Sequence, residues 1–188
     1  GAEKEHLVGW KSKQDIWKNR LEKLYIPKPN QDGIIPQDDT FLQKRQMENI
    51  EYYKQSYIKQ AVLLDYSRAE VVDMQVLKQA DVVMMLNLFP HLFDAETVKK
   101  NVLFYESRTL HDSSLSVCAH SIACSRIGEQ QMAYEFFEKA LEIDINENPK
   151  DSTDGIHAAS LGGIWNCIIQ GFAAALMHAH GTAMGVAA

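Results

Sequence analysis

The hydrophobic positions fall into two kinds of run, and their alternation predicts the architecture. From Val76 to Phe89 the residues are apolar nearly all round once past the first turn, and Pro90 stops the run. From Ala95 to Arg108 the apolar residues keep to one helical face, with Val98, Val102 and Tyr105 on it and Lys99, Lys100 and Glu106 elsewhere. Ser113 to Ile127 is again mostly small and apolar, and Gly128 ends it. Glu129 to Ile143 carries a stripe of Met132, Ala133, Phe136, Phe137, Ala140 and Leu141, and Ile156 to Met177 is apolar on every side. A helix apolar all round is buried, whereas one with a single stripe lies at the surface. The predicted order is therefore buried, surface, buried, surface, buried. Short connections make successive helices antiparallel, so the buried ones should run parallel to each other. The class is all-α, and the architecture is about half of an α/α toroid, with buried inner helices wrapped by amphipathic outer ones.

The first part of the chain is less regular. Ser12 to Tyr25 places Ile16, Trp17, Leu21 and Leu24 at helical spacing, and a loop from Ile26 to Asp39 is punctuated by Pro27, Pro29, Gly33 and Pro36. Residues 40–75 read as short helices joined by turns. Residues 1–180 form one helical unit in this reading, and 181–188 form a tail expected to be unstructured. The chain opens on Gly and closes on mostly small residues, so both ends read as cut.

Composition narrows the function classes. A chain of 188 residues, 46% of them hydrophobic, suits one globular unit with a core. The formal net charge is −6 and the basic residues are scattered among acids, which argues against a nucleic-acid partner. Cys118, Cys124 and Cys167 show neither CxxC nor zinc spacing, so they read as small buried hydrophobes in a reducing compartment, with no metal expected. Gly1 to His6 is polar and charged, unlike a secretory signal, and Gly, Asn and Gln break the longest apolar run, so no membrane span is expected. The expectation is a soluble cytoplasmic protein.

Parallel inner helices would start at one end of the toroid, where the unusual polar residues gather. Lys78, Gln79 and Asp81 open the first. Thr109, His111, Asp112, Ser113 and Ser114 lead into the second. Ser152, Thr153, Asp154 and Gly155 precede the third, which carries His157 and Ser160 in its first turns. Helix N-termini present unpaired N–H groups and the positive end of the macrodipole, so their convergence with Lys, His and Ser side chains would suit an anion. Gly162 and Gly163 would admit a close approach by a ligand or another backbone. A plainer reading stands beside this one: Asp112, Ser113, Thr153 and Asp154 are ordinary helix caps, the histidines are structural, and Lys78-Gln79 is a solvated first turn.

Three segments carry a family resemblance. Val76-Leu77-Lys78-Gln79-Ala80-Asp81-Val82-Val83, Tyr105 to Ser116 (through Arg108-Thr109-Leu110-His111-Asp112-Ser113-Ser114), and Thr153-Asp154-Gly155-Ile156-His157-Ala158-Ala159-Ser160-Leu161-Gly162-Gly163 resemble glycoside hydrolase family 65 in order and spacing. The likeness extends from about Ile34 to Phe172. It implies an (α/α)6 barrel and an inverting phosphorylase of α-linked glucose disaccharides, with inorganic phosphate as co-substrate and no cofactor. It further implies that Lys78 and Gln79 hold the transferred glucosyl unit, that His111, Ser113, Ser114, His157 and Ser160 lie at the phosphate pocket, and that the full-length protein is a homodimer. The family's general acid, a Glu in a Gly-Pro-Asp-Glu-Tyr type segment, has no counterpart here and is expected upstream of residue 1, which would leave these residues inactive alone. Two alternatives remain, a family 65 hydrolase and a tetratricopeptide-like module suggested by Ala133 to Asp144. The second lacks any echo at the repeat period of about 34 residues.

Overall fold

Small side chains let one helix be buried on every side, and the rest of the fold is arranged around it. In a computed structural model of the chain, which describes residues 2–25, 27–56, 58–145 and 155–174, every residue from Ser116 to Ser125 is buried. The helices are α1 (Ala2–Lys23), α2 (Ile50–Gln55), α3 (Val62–Asp65), α4 (Arg68–Val72), α5 (Asp81–Leu88), α6 (Ala95–Glu106), α7 (Ser116–Arg126), α8 (Gln130–Glu142) and α9 (Ala158–Asn166). The last continues into a π-helical turn over Cys167–Ala173. Among the described residues there is no strand, only two isolated parallel bridges, Arg45 with Met74 and Leu77 with Thr109. The central helix α7 packs against α5, α6, α8 and α9.

The inner helices start at one end, as the pattern predicts. Leu77, ahead of α5, pairs in parallel with Thr109, ahead of α7, so the chain travels out along α5 and back along α6. Ser160, in the first turn of α9, donates its hydroxyl to the Ser114 carbonyl at 3.2 Å, which puts the start of α9 beside that of α7. Gly128 terminates α7 in the left-handed region (φ 84°), where only glycine is free of a Cβ penalty. Gly163 makes the close approach expected of it: an added Cβ would sit 2.8 Å from Cys118 Sγ on α7. Gly162 faces open space.

Three expectations need correction. The first apolar run is not helical throughout, because residues before Asp81 spend their backbone groups on the neighbouring segment. Leu77 N–H donates to the Arg108 carbonyl and Leu110 N–H to the Leu77 carbonyl, each at 2.8 Å, and Ala80 takes φ −86°, ψ 85°. Lys78 and Gln79 therefore lie in a bent, non-helical lead-in rather than in a helix's first turn. Likewise α7 begins at Ser116 rather than Ser113. Finally, α9 is not buried all round: Ser160 and Cys167 face α7, while Leu161 and Trp165 are 51% and 63% exposed. Its apolar character marks two faces that need cover, and only one is covered among the described residues. The short helices of residues 40–75 are as expected. Helix α1 begins ahead of Ser12 and leaves Ile16, Trp17, Leu21 and Leu24 exposed. The end of the third apolar run (175–177) and the tail at 181–188 lie outside the described residues.

The loop before α2 is fixed by buried polar groups. Asn101 on α6 accepts from Ile35 N–H at 2.8 Å and donates to the Gly33 and Thr97 carbonyls, each at 2.8 Å, and the Tyr105 hydroxyl donates to the Ile35 carbonyl. This satisfies loop backbone that would otherwise be buried unpaired. The three cysteines are buried free thiols. No described helix is long and apolar enough to cross a membrane.

Candidate active site

The paired lead-in segments position the first cavity residues. Beyond the Leu77–Thr109 bridge, Asp112 N–H donates to the Lys78 carbonyl at 3.1 Å, which holds Lys78 alongside His111 and Asp112. Thr109 is fully buried and donates its hydroxyl to the Tyr105 carbonyl at 2.7 Å. Arg108 stacks 3.8 Å over the Phe104 ring and donates to Gln75 Oε1 at 3.0 Å, which anchors the turn between α6 and this segment. His111 sits in the left-handed region (φ 55°), and its Nδ1 is 2.9 Å from Ser116 Oγ.

Beneath His111 lies a pair of buried rings. His120, on the buried α7, meets the His111 ring edge-on at 4.6 Å and Phe136 at 5.4 Å. Burial, with the nearby Lys54 charge, pushes His120 down to about 3, so it is neutral. Its ring nitrogens find no hydrogen-bond partner.

On the far side, Asp144 lies two residues past the end of α8, also left-handed (φ 66°). Its carboxylate accepts from His157 N–H at 2.7 Å, while His157 Nδ1 lies 2.6 Å from the second oxygen. The hydrogen bonds from the His157 ring and backbone hold the Asp144 carboxyl below its ordinary value.

These pieces surround an open cavity of about 930 Å³, lined by Lys78, His111, Ser113, Ser114 and His157 from the three inner-helix starts. Lys54, Lys59 and Lys139 add positive charge to its wall, and Glu51, Glu106, Asp112, Glu135 and Glu142 add negative charge. Lys54 is pinned by Glu106, whose carbonyl and carboxylate accept from it at 2.8 and 2.9 Å. Two candidates lie off this cavity. Gln79 lines a smaller one of about 250 Å³ and donates to Asp81 at 3.3 Å. Ser160 is buried, and its hydroxyl ties α9 to the Ser114 carbonyl.

The capping alternative meets a simple geometric check. The N-cap positions of α5, α7 and α9 are held by Ala80, Leu115 and His157, none with a side-chain cap hydrogen bond, so Asp112 and Ser113 stand ahead of the α7 N-cap position rather than at it. Thr153 and Asp154 lie outside the described residues. Among the described residues no cluster of three or more His, Cys, Asp or Glu side chains could hold a metal ion. The sequence reading missed Lys54, His120 and Asp144. Lys54 sits in the irregular stretch, His120 looks like any polar residue in an apolar run, and Asp144 carries only the weak signal of an Asp just past a helix end.

Comparison with known proteins identifies the family. The sequence model of the glycosyl hydrolase family 65 central catalytic domain matches residues 2–166. A kojibiose phosphorylase of Escherichia coli (strain K12) is 48% identical over 153 residues, 81% of this chain and 20% of that protein. An alpha,alpha-trehalose phosphorylase of Geobacillus stearothermophilus is 38% identical over 157 residues, 84% of this chain and 20% of that protein. A solved human-microbiome protein, provisionally assigned as a kojibiose phosphorylase, matches with a TM-score of 0.70 at 30% identity, covering 80% of this chain and 21% of that one. The chain thus spans about a fifth of the length of these relatives. With its inner helices parallel and its three motif segments meeting at their starts, the chain is part of an (α/α)6 toroid and belongs to glycosyl hydrolase family 65.

Proposed function

We propose that the protein is an inverting α-glucoside phosphorylase, with kojibiose the first substrate to test, and that these residues supply part of its glucosyl and phosphate pocket. The observation that carries this reading is the convergence of Lys78, His111, Ser113, Ser114 and His157 on one cavity at the starts of three helices. Kojibiose is favoured by the 48% identity to a protein of that name. In the proposed reaction a carboxylic acid protonates the glycosidic oxygen, and phosphate attacks the anomeric carbon from the opposite face. The products are β-glucose 1-phosphate and a free sugar. Phosphate is already a competent nucleophile, so the site needs a polarised cradle rather than a second carboxylate base.

In this reading Lys78 and Gln79 serve the glucosyl unit, Gln79 by way of Asp81. His111, Ser113, Ser114 and His157 serve phosphate, and Ser160 holds the Ser114 loop in place. The proton donor is not among these residues, since no Gly-Pro-Asp-Glu-Tyr type segment occurs in 1–188; these residues alone are proposed to be inactive. A cytoplasmic homodimer is the proposed setting of the full-length enzyme.

The test is release of glucose 1-phosphate by the full-length protein from kojibiose, trehalose, maltose and nigerose. Release that requires inorganic phosphate, greatest with kojibiose, is the expected result. Glucose release independent of phosphate would make the protein a hydrolase instead.

A further inference from the structure

The cavity histidine at the N-cap position of α9, one residue ahead of the helix, is gripped by a carboxylate in a way that an ordinary tether does not require. Asp144 uses one oxygen for the His157 backbone N–H (2.7 Å) and the other for the His157 ring Nδ1 (2.6 Å), so main chain and ring are fixed together. Asp144 stands two residues past the end of α8 with φ 66°, a left-handed conformation that Asp and Asn adopt more readily than most residues. The carboxylate is thereby aimed at the start of α9 across a gap of 13 positions. A carboxylate at Nδ1 demands a proton there, which leaves Nε2 on the opposite edge of the ring as the atom available to a ligand.

We propose that Asp144 is a positioning residue for phosphate: it sets the tautomer and orientation of His157 so that Nε2 is presented to the cavity as an acceptor for a phosphate hydroxyl. The inference rests on the phosphate reading of that cavity. Asp144 touches no reacting atom and acts only through His157. A residue that merely tied α8 to α9 would matter equally whether or not residue 157 carried an imidazole, and that difference makes the two roles separable.

The experiment measures KM for inorganic phosphate and kcat in the full-length enzyme for Asp144→Asn, His157→Ala and the double variant. Asn suits the left-handed backbone and keeps one acceptor, yet it removes the charge. Asp144→Asn is expected to raise KM for phosphate roughly tenfold or more, with a smaller change in kcat. In the His157→Ala background it should add almost nothing, and Asp144→Glu should recover part of the loss. A full additive effect in the double variant, or an unchanged KM in Asp144→Asn beside a raised one in His157→Ala, overturns the positioning role alone. An unchanged KM in His157→Ala overturns the phosphate site itself, and the dyad's purpose with it. A measurement on the unaltered enzyme stands apart from any folding defect: with ¹⁵N-labelled histidine, the His157 resonances should show a protonated Nδ1. A bare Nδ1 would refute the proposal.

Discussion

At the start of α6, Asp94 accepts from Thr97 N–H at 2.9 Å and from the Thr97 hydroxyl at 2.8 Å, so the helix closes on its own side chains. At the start of α7, Leu115 stands in the capping position with no side-chain cap bond, although Asp112, Ser113 and Ser114 immediately precede it. Both segments contain residues suited to capping. The outer helix uses them locally, whereas the inner one turns Ser113, Ser114 and His111 toward a shared cavity. Polar residues ahead of a helix thus have two uses, and the sequence motif does not distinguish them. Whether a cap bond is made does.

The largest expected effect comes from the inner starts. Lys78→Ala in the full-length enzyme should lower kcat/KM for phosphorolysis by about a hundredfold or more, with the thermal midpoint almost unchanged. A drop in Tm with activity retained would break the comparison, because it would make the inner start structural like the outer one.

The buried ring beneath that start gives the next effect, on stability alone. His120 is held down at about 3, far below its ordinary 6.5, so below pH 6.5 the unfolded chain binds a proton that the folded chain refuses. Stability should fall as pH drops from 6.5 toward 3, by an amount on the order of a few kcal/mol from this ring. His120→Leu should flatten that slope in chemical denaturation measured across this window. A slope that survives the substitution would assign the acid sensitivity to other groups.

The smallest effect belongs to the outer start. Asp94→Ala should lower Tm slightly and leave phosphorolysis intact. The hydrogen bonds from Thr97 hold the Asp94 carboxyl below its ordinary 3.8, so its contribution is present above that value and disappears as pH falls through the lower folded one. The variant and the parent should therefore converge in acid. Loss of activity in Asp94→Ala would erase the distinction between the two kinds of start.

The sequence was legible where a structural choice is local. The stripes of α6 and α8 and the mostly small, apolar run of α7 correctly place those helices in outer and inner layers. Reading failed where the choice depends on a distant partner. Val76 to Ala80 is not helical because the Leu77 and Lys78 backbones bond residues 108–112, and nothing within the segment announces that. The run from Ile156 onward shows that both faces need cover but not which face α7 takes. Within the cavity, His111 and His157 stood out by type and place, while Asp144 depends on a contact between the end of α8 and the start of α9.

The bridge between Leu77 and Thr109 bears on how such a site can diversify. Lys78 follows one bridged residue, and His111 follows the other by two, so their spacing is set by backbone hydrogen bonds that are indifferent to side-chain identity. Drift in the surrounding helices, or changed loops above the cavity, can proceed without altering the distance between the two residues. A scaffold that fixes the spacing of two cavity residues in the main chain leaves the side chains around them free to change, which under the proposed phosphorolysis is where a new acceptor sugar would be accommodated.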